Sequence, residues 1–126
     1  MNPPSDLQMP SDPPRQVGTV IVGAGFAGIA AALALRAAGR EDFVILERAA
    51  SVGGTWRDNV YPGVACDVPA HLYGLSTHPW ADWSRAFAPG AEIRAYLERI
   101  VRDEGLERHL RLSAALTAAA WDGDAW

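Results

Sequence analysis

The stretch Val20-Ile21-Val22-Gly23-Ala24-Gly25-Phe26-Ala27-Gly28 constrains the fold of this chain more than any other. A β-branched run enters three glycines spaced one and two residues apart, and an Ala/Leu-rich run leaves them. That order predicts a buried strand, a tight turn and a helix in direct succession. Each glycine then has its own task. Gly23 makes the turn off the strand, Gly25 lets another group approach the backbone, and Gly28 lets the helix lie close on the strand. The N–H groups and dipole at the start of such a helix form an anion site, suited to a pyrophosphate.

The next apolar run, Phe43-Val44-Ile45-Leu46, ends at Glu47, 19 residues after Gly28. A carboxylate about 20 residues beyond the glycines is placed to accept the ribose hydroxyls of a dinucleotide. Between the two runs, Ala27 to Ala38 reads as a helix closed by Gly39, and Arg40-Glu41-Asp42 as a polar turn. The expected unit is a βαβ crossover with parallel, adjacent strands. The first strand, Val17 to Val22, is apolar throughout, as expected of a parallel strand covered on both faces.

The rest of the chain bounds the answer further. At 126 residues it is one domain at most. The net charge is −4 and no face gathers Lys or Arg, which argues against a nucleic-acid partner. The single cysteine, Cys66, excludes an internal disulfide and fits a reduced, cytoplasmic setting. Thr19 to Leu35 carries no charge, but it is shorter than a membrane span and broken by the spaced glycines. No membrane segment is therefore expected. Residues 1–15, with five prolines among polar residues, read as a disordered arm, and 16–126 as the N-terminal part of a dinucleotide-binding domain.

Residues 49–89 show little periodicity but hold many aromatics, which suggests an ordered, ligand-covering segment. A second helix is expected from Ala91 to Glu104, with Ile93, Tyr96, Leu97, Ile100 and Val101 on one stripe and a solvated charged face opposite. Gly105 caps it. Leu110 to Leu112 and Leu116 to Trp121 read as short strands, and Asp122-Gly123-Asp124 as a hairpin turn with no returning strand after it. The whole reads as the N-terminal portion of a larger protein. Cys66 reads as a small buried side chain. His71, His78 and His109 lack metal-ligand spacing, so no metal site is expected.

After Glu47 come Gly53-Gly54-Thr55-Trp56, then Asn59-Val60-Tyr61-Pro62-Gly63, then Cys66-Asp67. Here the chain resembles the class B flavoprotein monooxygenases, most closely the Baeyer–Villiger monooxygenases. The resemblance runs from Val17 to Trp121. It implies an α/β, Rossmann-like, doubly wound FAD-binding domain. Gly23, Ala24, Gly25, Phe26, Ala27 and Gly28 would hold the pyrophosphate, and Glu47, followed by Arg48, the adenosine ribose. The backbone of Gly54, Thr55 and Trp56 would pass over the phosphates toward the flavin, with Trp56 as a wall of the site. Asp67 and Val68 would lie near the isoalloxazine ring, and Asp67 is the catalytic candidate. Tyr73 matches a cofactor-contacting position, and Leu116 one that meets the adenine end. Arg57 stands where many relatives carry an aromatic.

The resemblance also implies the chemistry. NADPH reduces the flavin, oxygen adds to give a peroxyflavin, and a ketone, sulfide or amine is oxidised, with the cofactor carrying the hard steps. The second glycine fingerprint, for NADPH, is expected beyond residue 126. Two alternatives stay open: a truncated, non-catalytic FAD-binding fragment, and an NAD-binding oxidoreductase of plain Rossmann type. A cysteine pair after Gly53-Gly54 would mark a disulfide reductase, and none is there.

Overall fold

The computed structural model describes residues 16–126, so the expected arm over 1–15 lies outside the described residues. Three parallel strands, β1 (Thr19–Val22), β2 (Phe43–Leu46) and β3 (Leu110–Arg111), form one sheet in the order β1-β2-β3. β1 and β2 pair in register from Thr19 opposite Phe43 to Val22 opposite Leu46, and Ile45 of β2 stands opposite Leu110. Helix α1 (Phe26–Ala37) connects β1 to β2, and Gly39 beyond its end takes a positive φ. Helix α3 (Gly90–Asp103) precedes β3, and α2 (Thr55–Asp58) is a single turn between β2 and α3.

Both long helices serve one face of the sheet. Ile21, Phe43 and Ile45 point into a core shared with Ile29 and Ala32 of α1 and with Leu97 and Ile100 of α3. The strand order explains this. Successive crossovers that step the same way along a parallel sheet, each right-handed, put their helices on the same side. The opposite side of β1 is open: Val20 is 49% and Val22 61% exposed, facing a cavity of about 850 Å³ lined also by Leu116, Trp121 and Trp126. Coverage on both faces, expected for this strand, is thus not met among the described residues. A doubly wound sheet gains its second layer only where the strand order reverses.

The stripe on α3 is as expected: Ile93, Tyr96, Leu97, Ile100 and Val101 are all buried. Its charged face is not simply solvated. Arg99 lies over the Trp80 ring at 3.5 Å, and Glu92 accepts the backbone N–H and the hydroxyl of Ser84. Through these contacts α3 holds the long segment before it. Tyr96 adds another, accepting the Leu75 N–H at 2.9 Å and donating to the His78 carbonyl at 2.7 Å.

Leu116 to Trp121 does not form a strand. After β3 the chain gives two backbone bonds, Ser113 N–H to the Ala49 carbonyl and Ala114 N–H to the Glu47 carbonyl. Ser113, at φ 55°, then turns it off the sheet edge. Three consecutive alanines, 118 to 120, offer little side-chain packing to fix an extended strand there. The turn after Trp121 does form, with Asp122 accepting the N–H groups of Asp124 and Ala125.

Candidate cofactor site

The site grows from the end of β1. Gly23 has φ +94°, which L side chains rarely adopt, and its N–H closes the ladder onto the Leu46 carbonyl at 2.8 Å. The reversal brings the carbonyl of Gly23 against α1, where a Cβ on Gly28 would sit 1.9 Å from it. Only glycine fits at that point. At Gly25 the approach is to another backbone: a Cβ there would lie 3.6 Å from the Cα of Gly54. The two glycine turns therefore lie back to back, and the Gly53 N–H bonds to the Ala24 carbonyl at 3.0 Å.

The start of α1 is bare. Its N-cap, Gly25, has no side chain to offer, no acidic residue lies in the first turn, and the first intrahelical bond is Ile29 N–H to the Gly25 carbonyl. The N–H groups of Phe26, Ala27 and Gly28 thus lack partners within the helix. A cleft of about 330 Å³ opens at this end of the sheet. Of the residues singled out in the sequence, it brings together Gly23, Ala24, Gly25, Glu47, Arg48, Gly54, Thr55 and Leu116.

Glu47 is buried at 4% exposure and held on both oxygens. Oε2 accepts the Ala24 N–H at 2.8 Å and Oε1 the Ala49 N–H at 2.9 Å. Arg57 Nη1 pairs with Oε1 at 3.0 Å. Burial opposes the charge, yet the two amides and the guanidinium prevail and hold the carboxyl below its ordinary range. Arg57 and Asp58 line the same cleft, as do Ala114 and Ala115. These four are not among the site residues expected from the sequence. The signal for Arg57 and Asp58 was their place two and three residues after Thr55, on the single helical turn that Gly53-Gly54 starts.

The other expected site residues lie elsewhere. Phe26, Ala27 and Gly28 form the first turn of α1 without lining the cleft. Trp56 does not line it either: its Nε1–H donates to the Tyr73 hydroxyl at 3.1 Å, and a Cβ on Gly90 would come within 3.2 Å of its ring. Tyr73 also meets Phe26 edge-on, with centroids 5.2 Å apart. Trp56, Tyr73 and Phe26 thus pack around the second small core, of Cys66, Ala70, Ala88 and Ile93. Cys66 is buried at 5% exposure, as a small apolar side chain would be. Asp67 and Val68 are exposed, on a segment held by Cys66 N–H to the Ala88 carbonyl and Ala70 N–H to the Ala86 carbonyl.

Among the histidines, His109 stacks on Phe43 at 4.0 Å and His78 bonds Glu104. Among the described residues no group of three His, Cys, Asp or Glu side chains could hold a metal ion. No described helix is long and apolar enough to cross a membrane.

Residues 21–88 match the family model described as an NAD(P)-binding Rossmann-like domain. A Baeyer–Villiger monooxygenase of Streptomyces coelicolor is 53% identical over 108 residues, covering 86% of this chain and 21% of that protein. A Baeyer–Villiger monooxygenase of Pseudomonas aeruginosa is 44% identical over 108 residues, covering 86% of this chain and 20% of that protein. Among solved structures, a complex of OTEMO with FAD and NADP superimposes with a TM-score of 0.78 at 30% identity, covering 88% of this chain and 22% of that one. The chain thus spans about a fifth of the length of the relatives it matches.

Proposed function

Because the chain belongs to the family of NAD(P)-binding Rossmann-like domains, we propose that it forms the FAD-binding portion of an NADPH- and oxygen-dependent flavin monooxygenase. The substrate class is a ketone oxidised by Baeyer–Villiger insertion, or a nitrogen or sulfur centre. The observation that carries this reading is the bare N-terminus of α1 opening beside a buried, ionised Glu47. Those are the two features an adenine dinucleotide needs: donors for its diphosphate and an acceptor for its ribose. The string from Gly53 to Asp67 and the FAD in the OTEMO complex support flavin as the ligand of this cleft.

FAD, when bound, would supply the redox chemistry with NADPH and oxygen. The chain's own residues bind and orient it. The free N–H groups at the start of α1 hold the diphosphate, and Gly23 and Gly25 keep the approach clear of side chains. Glu47 accepts a ribose hydroxyl, and Leu116 closes the adenine end of the cleft. Thr55 borders the diphosphate from the opposite wall. Asp67, exposed on its braced loop, lies on the flavin side and is the proposed catalytic residue.

Fluorescence titration of the protein with FAD tests the reading. Saturable binding of one FAD per chain, at least tenfold tighter than NAD, is expected. Preference for NAD supports the plain dinucleotide-binding alternative. Absence of saturable binding to either ligand overturns the proposal.

A further inference from the structure

Arg57 is placed to do more than brace a loop. Its side chain is only 11% exposed, and its donors are nearly all committed. Nε and Nη2 bond the two oxygens of Asp58, at 2.8 and 3.1 Å, and Nη1 bonds the Ser51 carbonyl at 2.6 Å. The same Nη1 stands 3.0 Å from Oε1 of Glu47. An ionised carboxylate has about four lone-pair positions, two on each oxygen. The Ala49 N–H takes one position on Oε1, the Arg57 guanidinium stands over the rest of that oxygen as an ion pair at 3.0 Å, and the Ala24 N–H takes one position on Oε2. Oε2 keeps one open acceptor position, while the remaining position on Oε1 faces the Arg57 guanidinium.

We propose that Arg57 sets how a ribose is read in this cleft: by covering Oε1 of Glu47, it leaves a single acceptor, so that only one of two neighbouring ribose hydroxyls is held by the carboxylate. The inference rests on the reading of the cleft as an adenine-dinucleotide site. Arg57 is here a positioning residue, acting through Glu47. Its own charge is taken up by Glu47 and Asp58, so it is not a free anchor for a phosphate on that ribose.

The test is a titration of the protein with FAD and with two FAD analogues lacking either the 2′- or the 3′-hydroxyl of the adenosine ribose. In the unaltered protein, loss of one hydroxyl weakens binding about tenfold or more, as expected for a hydrogen bond to a charged group, and loss of the other less than about threefold. In Arg57→Met, Oε1 is uncovered and the two losses converge to within about threefold of each other. Arg57→Lys, which keeps a cation beside Oε1, retains the inequality. An Arg57 that served only to hold the fold would lower all three affinities by the same factor. Equal losses in the unaltered protein, or an inequality that survives in Arg57→Met, overturn the role of Arg57 while leaving the FAD site standing. Absence of FAD binding by the unaltered protein overturns both.

Discussion

Glu47 accepts the backbone N–H of Ala24 at 2.8 Å, joining the end of β2 to the glycine turn after β1. The bond spans 23 residues of sequence and is buried. It fixes the acidic side chain and the helix start relative to each other before any ligand arrives. A preformed pair of this kind spares a ligand the ordering cost of assembling its site.

That geometry gives stability an acid limb. With its carboxyl held below the ordinary value, folded Glu47 binds a proton less readily than the unfolded chain does. Its stabilising contribution is therefore full at neutral pH and is lost as pH falls through the lowered folded value. Urea unfolding between about pH 3 and pH 7 should show Glu47→Gln less stable at neutral pH and less sensitive to acid than the unaltered protein. Parallel curves would contradict the assignment. Glu41 and Asp58 are lowered too, but solvent screens both, and their share is expected to be small.

Two glycines of the same turn should respond differently to alanine. At Gly28 the new Cβ would meet the Gly23 carbonyl oxygen at 1.9 Å, so α1 must leave β1, at a cost of ~3 kcal/mol or more. At Gly23 nothing lies within 4 Å, and only the positive φ is penalised, by ~1–2 kcal/mol. Denaturant midpoints of Gly23→Ala and Gly28→Ala give the order directly; a milder effect at Gly28 is the contrary outcome.

Ala27→Asp separates binding from folding. Ala27 is exposed in the first turn of α1, where a carboxylate favours the helix dipole. The melting temperature should hold or rise, while FAD affinity falls roughly tenfold or more through repulsion of the diphosphate. Unchanged affinity would place the diphosphate away from this helix.

Tyr96→Phe removes a hydroxyl that bridges the Leu75 N–H and the His78 carbonyl. Leaving these groups without their partner should cost ~1–3 kcal/mol. Hydrogen exchange at Leu75 and its neighbours should quicken more than exchange in β2, which is the check that the loss is local.

Much of this was readable in the sequence because it rests on local periodicity. β2 from Phe43 to Leu46, the buried stripe of α3 and the left-handed Gly105 follow from spacing alone. The strand expected at 116–121 failed because a strand exists only by pairing, and the chain leaves the sheet at Ser113. The half-open β1 was hidden for a related reason: an apolar strand does not say on which side its crossovers run. Trp56 shows a third limit. Its ring lies half-buried against Gly90 and donates to Tyr73 beside the second small core, contacts between elements that its place after two glycines does not announce. The ion pair of Arg57 with Glu47 joins residues on different elements, and no spacing rule announces it.

The central claim is that the diphosphate of an adenine dinucleotide sits at the N-terminus of α1. Backbone amide NMR shifts of the protein, recorded as FAD is added, test this most directly. The account predicts the largest saturable shifts at Gly23 to Gly28, with companions at Gly54 and Thr55. Shifts concentrated instead in the separate groove between α1 and residues 75–78, or none at the glycine turn at saturation, would contradict it.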